Sequence, residues 1–246
     1  MDKEKVLEVN RLTKLYKNGR GVKNISFSIN EGDVVGLLGP NGSGKTTIMK
    51  TIMGLCHANE GHVSIFGKDV EDNVEETLKQ VGGLIERPVI FEYLTARHNL
   101  KMMARFYHNV DEARIDHVLK VVRLNQYQKD KAGKFSLGMK QRLGLAMAIL
   151  SDPQLIILDE PTNGLDIEGT VEIREIIKKM AMEKKASFLI ASHLASEIEK
   201  TCNKVAIVHE GELLSFETME DALKLNPSLE DYFLSTVKDK RGSVLI

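Results

Sequence analysis

The sequence of 246 residues lacks the features that mark membrane-spanning, secreted and metal-cluster proteins. No apolar run approaches the roughly 20 residues that a helix needs to cross a bilayer, so a membrane role is expected to come through a partner. The charged start, residues 1–5, contains no apolar core of a secretory signal, and none is expected. Its two cysteines, Cys56 and Cys202, are far apart and lack metal-ligand spacing, so two buried free thiols are the simpler interpretation.

A strong net charge is absent as well. The chain has 34 Lys and Arg against 35 Asp and Glu, which gives a formal net charge of -1. This balance provides no overall basic field, so no nucleic-acid partner is expected. Internal repeats, low-complexity tracts and Pro- or Gly-rich linkers are also missing, which favours a single domain over residues 1–246.

What is present is centred on a glycine-rich segment that fits the phosphate-binding pattern G-x-x-x-x-G-K-[ST]. An apolar run, residues 34–38, precedes it and predicts a buried strand, and residues 46–53 predict a helix that ends at Gly54. Strand, glycine loop and helix are the setting that the motif requires. The predicted nucleotide-binding residues are Gly39, Pro40, Asn41, Gly42, Ser43, Gly44, Lys45, Thr46 and Thr47.

This loop suits the chemistry of a triphosphate. Glycines let the backbone turn tightly and point several N–H groups at one anion. The following helix adds the partial positive charge of its N-terminus. Lys45 is predicted to reach the β- and γ-phosphates and the Thr46 hydroxyl to hold Mg²⁺. The alternative is a glycine turn with an incidental Lys-Thr, but the flanking strand and helix favour ATP and Mg²⁺ as ligands.

A pair of acidic residues supplies what the phosphate loop needs for catalysis. Asp159 and Glu160 end the apolar run 155–158, which predicts a central buried strand. One carboxylate can organise Mg²⁺, while the other orients and polarises the attacking water. We therefore predict Asp159 as a metal ligand and Glu160 as the general base. A capped turn after a strand is the alternative for this pair, and the upstream phosphate loop argues against it.

The remaining pattern predicts an α/β fold. Residues 6–38 alternate β-like runs with turns, whereas residues 95–122 carry apolar side chains at helical spacing, with Thr95 and Asp111 as N-caps. Further helices are expected at 74–81, 139–150, 167–182 and 194–202, strands at 83–85 and 187–191, a hairpin at 205–214, and two short helices in the tail from residue 218. Strands alternating with helices after the phosphate loop favour a largely parallel sheet.

Residues 135–142, Phe-Ser-Leu-Gly-Met-Lys-Gln-Arg, resemble the signature of the ATP-binding-cassette (ABC) family, usually written L-S-G-G-Q. Four residues match that motif and the pair that follows it: Ser136, Gly138, Gln141 and Arg142. Leu137 stands where the family commonly has a glycine. Such variants are familiar in the branch that resembles bacitracin- and lantibiotic-type export and immunity ATPases.

Other residues are assigned by this resemblance, which extends over nearly the whole chain. Tyr16 matches the aromatic residue that stacks on adenine. Asp166 matches the acidic residue of the loop that couples two monomers, and His193 matches the histidine that senses the γ-phosphate. Glu86 occupies the position at which the family usually has a glutamine that contacts Mg²⁺ or water. The replacement of that glutamine by glutamate resembles the bacitracin-type branch. Taken alone, Tyr16 and His193 would be assigned structural roles.

The resemblance implies a P-loop NTPase core with a mixed, largely parallel central sheet, an N-terminal antiparallel β subdomain and an inserted α-helical subdomain. The boundaries expected are 1–86 and 151–217 for the nucleotide-binding core, 87–150 for the helical signature subdomain and 218–246 for a C-terminal helical tail. It also implies a head-to-tail homodimer or heterodimer, in which Ser136 and Gly138 of one copy meet the nucleotide on the other.

The leading functional hypothesis is the ATPase subunit of an ABC transporter. It would dock on membrane-spanning permease subunits at the cytoplasmic face of the cell membrane. The branch resembled suggests export of a peptide antibiotic or another amphipathic toxic compound. Two alternatives remain open at this point. One is a soluble ABC ATPase that acts in Fe–S assembly, in translation or on DNA. The other is a regulatory nucleotide-binding module without turnover, which the intact catalytic residues disfavour.

Overall fold

The computed structural model of the chain describes residues 4–241, so residues 1–3 of the charged start and residues 242–246 of the predicted tail lie outside the description. The described strands are β1 (Lys5–Leu15), β2 (Gly21–Asn30), β3 (Val34–Leu38), β4 (Glu60–Ile65), β5 (Lys68–Asp69), β6 (Val81–Leu84), β7 (Leu155–Asp159), β8 (Ser187–Ser192), β9 (Lys204–His209) and β10 (Glu212–Thr218). The described helices are α1 (Lys45–Ile52), α2 (Val74–Leu78), α3 (Ala96–Ala104), α4 (Glu112–Val121), α5 (Leu137–Ala148), α6 (Ile167–Lys184), α7 (Ala195–Thr201), α8 (Met219–Leu223) and α9 (Leu229–Arg241).

Two sheets organise these elements. The first has the strand order β2-β1-β4-β5, and its pairs are antiparallel. The second has the order β10-β9-β3-β8-β7-β6, in which only the β10–β9 pair is antiparallel. The prediction of an antiparallel β subdomain beside a mixed, largely parallel sheet is therefore confirmed.

The parallel order places four candidate segments along one edge of the larger sheet. The phosphate loop follows β3, His193 follows β8, Asp159 ends β7, and Glu86 comes two residues after β6. Since parallel strands end at the same edge, residues far apart in sequence meet there. This edge is the conventional position for ligands in open α/β sheets.

Both faces of the parallel sheet are buried, as the apolar strand sequences predict. In β3, Val34 and Leu38 pack into one core with α5 and α6, while Val35 and Leu37 pack into another core with α1 and the antiparallel sheet. The alternation follows the period of two that governs side chains along a strand. The sheet is thereby held rigidly between two apolar layers.

Helices α3, α4 and α5 lie between β6 and β7 in the chain and share one apolar core. Both predicted N-caps are confirmed, because Thr95 Oγ1 accepts a hydrogen bond from the backbone of His98 at 3.2 Å and Asp111 Oδ1 one from Arg114 at 2.7 Å. The subdomain boundaries given above stay a prediction. Within residues 4–241, none of the helices combines the length and apolar character that crossing a bilayer demands.

Several local predictions differ from the structure. The helix predicted at 74–81 ends at Leu78, because the chain is already paired as β6 from Val81 onward. The helix expected from residue 139 begins at Leu137, since the Ser136 hydroxyl accepts the backbone N–H of Met139 and caps the first turn. The first of the β-like runs expected within residues 6–38 is the 11-residue strand β1, which is long because it pairs with β2 on one side and β4 on the other.

The cysteine prediction is correct for one residue only. Cys202 is buried, and this burial raises the pKa of its thiol. Cys56 is partly exposed and lies 3.2 Å from the Thr51 hydroxyl. Cys56 is more exposed than Cys202 because it lies just beyond the end of α1, where the chain reaches the surface.

A single buried amide holds the segment that joins β6 to the helical block. Asn99 is fully buried in α3. Its side chain accepts a hydrogen bond from the backbone N–H of Phe91 at 2.8 Å. It donates to the carbonyls of Phe91 at 3.1 Å and Thr95 at 3.0 Å. This one side chain therefore ties the backbone of Phe91 to the start of α3.

We expect Asn99→Ala to lower the free energy of unfolding by about 2–3 kcal/mol, because buried polar groups lose their partners. Urea denaturation followed by circular dichroism measures this change. Asn109→Ala, at an exposed amide, is the matched control and should change stability by less than about 0.5 kcal/mol. Equal stability of the two variants would show that Asn99 does not hold this segment.

Candidate functional site

The phosphate loop has the backbone geometry that its glycines predict. Gly44, which precedes α1, has a φ of 110°, a conformation that side chains disfavour. At Gly39 a Cβ atom would lie 2.1 Å from the carbonyl oxygen of Val208, so no larger residue fits without displacing β9. The loop therefore wraps tightly around the N-terminus of α1, where backbone N–H groups and the helix dipole favour an anion.

Lys45 is almost completely buried, at 5% exposure, and its ammonium group is held by the loop itself. Nζ donates to the carbonyl of Gly39 at 2.7 Å and to that of Pro40 at 3.2 Å. Burial lowers the pKa of Lys45, while the negative charges of Glu160 and Asp159 oppose that change. A buried cation at this position is well suited to an anionic ligand, and a phosphate group would complete its surroundings.

Thr46 and Asp159 are joined directly. The Thr46 hydroxyl donates a hydrogen bond to Asp159 Oδ2 at 2.8 Å. Burial raises the pKa of the Asp159 carboxyl, and the hydrogen bond from Thr46 opposes part of that rise. The structure therefore brings together the hydroxyl and the carboxylate that the sequence predicts as metal ligands.

Glu160 lies beside Lys45 and His193. Its Oε1 atom is 3.9 Å from Lys45 Nζ and has no hydrogen-bond partner among the described residues. Its Oε2 atom is 2.9 Å from His193 Nδ1, and because a carboxylate only accepts, the imidazole donates. The backbone of Glu160 has a φ of 50°, an uncommon left-handed conformation that turns the chain at the end of β7. One carboxylate oxygen is thus oriented by His193, while the other is a buried acceptor without a hydrogen bond among the described residues.

A cavity of about 960 Å³ opens over these residues. Its walls come from the phosphate loop and α1, the ends of β6 and β7, the β1–β2 turn and the start of α5. The residues that line it are Tyr16, Asn18, Arg20, Gly21, Asn41, Gly42, Gly44, Lys45, Thr46, Thr47, Glu86, Arg87, Pro88, Ile90, Glu92, Leu137, Lys140, Gln141, Asp159, Glu160, Asn163 and Gly164. Pockets that bind small molecules usually measure about 300–1,000 Å³, and this cavity lies within that range.

Tyr16 stands at the mouth of this cavity, in the turn between β1 and β2. The turn is closed by hydrogen bonds of 2.8 Å from Tyr16 N to Arg20 O and from Gly19 N to Tyr16 O. Its ring is 42% exposed and lies 5.6 Å from Lys14 Nζ. An exposed ring at a cavity mouth suits the predicted stacking on adenine better than a role in the core.

Seven predicted residues lie outside the lining of the cavity, namely Gly39, Pro40, Ser43, His193, Ser136, Gly138 and Asp166. Ser136 is exposed, and its hydroxyl is occupied by capping α5. Gly138 is partly exposed in the first turn of that helix, and a Cβ at its position would meet nothing closer than 3.8 Å. Asp166 is exposed and caps α6 by accepting from Gly169 N at 2.8 Å. The last three residues therefore take no part in the cavity lining, although the nearby residues Leu137 and Gly164 do.

Glu86 lines the cavity, although its carboxylate contacts a residue that the sequence analysis missed. Glu86 Oε1 is 2.6 Å from Lys50 Nζ on α1. This ion pair lowers the pKa of Glu86 and raises that of Lys50. The one signal that could have found Lys50 is its spacing of four residues after Thr46, which places both on one face of a helix.

The residues present fit a magnesium ion. Magnesium in nucleotide sites is held by one or two carboxylates together with phosphate oxygens, without a cage made by the protein alone. Thr46 and Asp159 would supply the protein ligands. Glu86 lines the same cavity, with its carboxylate paired to Lys50.

Comparison with known proteins decides the family. The family model described as ABC transporter matches residues 22–163, more than half of the chain. This chain belongs to the ABC transporter family. It is an ATP-binding subunit, an ATPase that hydrolyses ATP to energise transport. Among the alternatives left open by the sequence, this finding excludes the soluble, non-transport ATPases and the module without turnover.

The relatives include two named transport proteins. The ABC ATPase is 40% identical over 230 residues to the bacitracin transport ATP-binding protein BcrA of Bacillus licheniformis, covering 94% of this chain and 75% of that one. It is 36% identical to the lantibiotic transport ATP-binding protein SrtF of Streptococcus pyogenes, covering 93% and 96%.

A solved ATP-binding subunit of an ABC transporter superposes with a TM-score of 0.84 at 30% identity, covering 95% of this chain and 100% of that one. A dimeric cassette in a post-hydrolysis state, bound to ADP and phosphate, gives a TM-score of 0.77 at 26% identity, with 87% and 98% covered.

We expect Lys45→Ala to weaken ATP binding about 10- to 150-fold, which corresponds to the loss of roughly 1.5–3 kcal/mol from hydrogen bonds to a charged group. The dissociation constant of a fluorescent ATP analogue measures the change. Lys200→Ala removes an exposed lysine of α7 and should bind as the parent does. Parental affinity in Lys45→Ala would contradict the phosphate-loop assignment.

Proposed function

We propose that this ABC ATPase powers export of a peptide antibiotic or another amphipathic toxic compound, acting as a dimer on permease subunits at the cytoplasmic face of the membrane. The observation that carries its catalytic part is the convergence of Lys45, Thr46, Asp159 and Glu160 in one cavity. The cargo class is supported by the relatives named as bacitracin and lantibiotic transport proteins, at 40% and 36% identity. Export is the direction that the resemblance of the signature implies.

Binding would use groups already in place. The phosphate loop and the α1 N-terminus surround the β- and γ-phosphates, Lys45 donates to them, and the exposed ring of Tyr16 stacks on adenine. Thr46 and Asp159, with Glu86 nearby, would hold Mg²⁺. When bound, this ion offsets the negative charge of the phosphate oxygens.

Hydrolysis would depend on Glu160. A water oxygen attacks the γ-phosphorus while the bond from that phosphorus to the ADP oxygen breaks, and the water proton passes to Glu160 Oε1. This oxygen lacks a hydrogen-bond partner in the described chain, whereas Oε2 is held by His193. His193 therefore acts as the group that orients the base.

The dimer would be head to tail. Ser136 and Asp166 are exposed and lie outside the cavity lining, so a second copy can place them on the nucleotide that the first copy binds. The N-terminus of α5, capped by Ser136, would add a favourable dipole at the same phosphate. The dimeric ADP- and phosphate-bound relative supports such an assembly. Both a homodimer and a heterodimer with a second ABC ATPase are compatible with this arrangement.

Docking on the permease would use residues 87–107. This segment exposes large apolar side chains, among them Val89 at 81%, Tyr93 at 70% and Phe106 at 80%. Contiguous exposed apolar surface marks an interaction site. The segment begins next to Glu86, which lines the cavity. Movement of the permease would therefore be transmitted to the nucleotide site.

We expect Glu160→Gln to keep ATP binding and to lower hydrolysis about 10²–10⁴-fold, the usual contribution of a positioned general base. Because ATP joins two copies and hydrolysis separates them, the variant should accumulate as an ATP-bound dimer. Phosphate release and size-exclusion chromatography with ATP and Mg²⁺ measure both effects.

Two variants serve as controls for this experiment. Glu183→Gln changes an exposed glutamate of α6 and should behave as the parent. Asp159→Asn should lose Mg²⁺-dependent binding together with turnover. Parental turnover in Glu160→Gln would assign the base elsewhere, whereas tight binding without dimers would argue against the head-to-tail arrangement.

A photo-crosslinking amino acid placed at Val89, Tyr93 or Phe106 should capture the permease subunit in the detergent-purified transporter. The same probe at Leu225, which is 92% exposed near α8, is the control and should not. Mass spectrometry of the cross-linked products identifies the partner peptide. Capture of the permease at Leu225 alone would place the docking surface elsewhere.

A further inference from the structure

The ion pair between Lys50 and Glu86 lies one helical turn from the candidate metal ligands. Lys50 follows Thr46 by four residues in α1, so the two side chains share a helix face. Lys50 Nζ and Glu86 Oε1 are 2.6 Å apart. Glu86 lines the same cavity as Thr46 and Asp159. The pair thus connects the phosphate-loop helix to the start of the predicted docking segment.

The carboxylate of Glu86 adds a negative charge to a site that already holds two. Glu86 lines the cavity together with Asp159 and Glu160, and its charge adds, after burial and the charge of Glu160, to the raised pKa of Asp159. A triphosphate is itself strongly negative. An uncompensated carboxylate here would therefore oppose ATP binding, whereas a neutral glutamine would not.

The pair contributes little to the stability of the fold. The side chains of Lys50 and Glu86 are 34% and 63% exposed, and ion pairs at such exposure stabilise proteins by about 0–1 kcal/mol. The backbone also helps to place this carboxylate. Glu86 has a φ of 63°, an uncommon left-handed conformation that turns the chain just after β6. We therefore expect the ion pair to affect ligand binding in the cavity and to have little effect on the stability of the fold.

We propose that Lys50 is a positioning residue that holds the Glu86 carboxylate away from the triphosphate and compensates its charge when ATP enters without bound Mg²⁺. The proposal rests on the proposed function, in that the phosphate loop is taken to bind ATP. Under this proposal, ATP binding depends on Lys50 only because residue 86 is a glutamate, whose negative charge has to be offset. Once Mg²⁺ is bound, its positive charge offsets the same carboxylate, and the need for Lys50 falls.

The test measures the dissociation constant of a fluorescent ATP analogue with EDTA and with saturating Mg²⁺. Physiological ionic strength is used, where the Debye length of about 8 Å suppresses distant charge effects. Lys50→Met should weaken binding about two- to fivefold in EDTA, the range expected from an exposed ion pair. With Mg²⁺ the loss should shrink below about twofold, and Lys50→Arg should restore parental binding under both conditions.

The double variant separates positioning from a direct contact with nucleotide. If Lys50 acts through Glu86, adding Lys50→Met to Glu86→Gln should leave binding within about 1.5-fold of Glu86→Gln alone. Lys68→Met is the matched control, because Lys68 forms an ion pair with Glu76 and lies outside the cavity lining. It should bind ATP as the parent does.

Three outcomes would overturn the inference. These are parental binding by Lys50→Met in EDTA, an equal loss with EDTA and Mg²⁺, and an undiminished loss in the Glu86→Gln background. Lys45→Ala, measured in parallel, separates this failure from that of the proposed function. Loss of binding in Lys45→Ala with no effect in Lys50→Met defeats the positioning role alone, whereas parental binding in Lys45→Ala defeats both.

Discussion

The hydrogen bond from the Thr46 hydroxyl to Asp159 Oδ2 is the contact on which the organisation of the site depends. It joins residues that are 113 positions apart in the chain. Thr46 lies in α1, which follows β3 through the phosphate loop, and Asp159 ends β7; β8 lies between these two strands, so they are two spacings apart, roughly 10 Å. Because the three strands are parallel, their ends lie at one edge of the sheet. Lys45 and Glu160 are the chain neighbours of the two bonded residues, and His193 is brought beside Glu160 by β8.

The site combines charged groups of both signs at the boundary between the apolar core and the cavity. Lys45 is buried and its pKa is lowered, while Asp159 is buried and its pKa is raised, so burial acts against both charged forms. A triphosphate with its metal brings charges of both signs and would relieve these opposed costs together. The ion pair of Lys50 and Glu86 adds one charge of each sign nearer the surface. Water screens these charges, so their interaction contributes less free energy than one between buried groups.

The sequence predicted the elements that depend on local pattern. The phosphate loop, the buried strand before Asp159 and the N-caps at Thr95 and Asp111 each follow from spacing over a few residues. Predictions were less accurate at the ends of elements, as with the helix that stops at Leu78. There, strand pairing with a distant segment overrides local preference.

By itself, the sequence determined the fold class, and it predicted a nucleotide ligand and the candidate site residues, because glycine conformation, strand periodicity and helix capping are local properties and the family resemblance assigned the rest. The tertiary structure alone decided which of these residues meet. It placed His193 beside Glu160 and Lys50 beside Glu86, and it left Ser136 and Asp166 exposed and outside the cavity lining. The reason is that strand order, which no local pattern encodes, sets the distances between segments far apart in the chain.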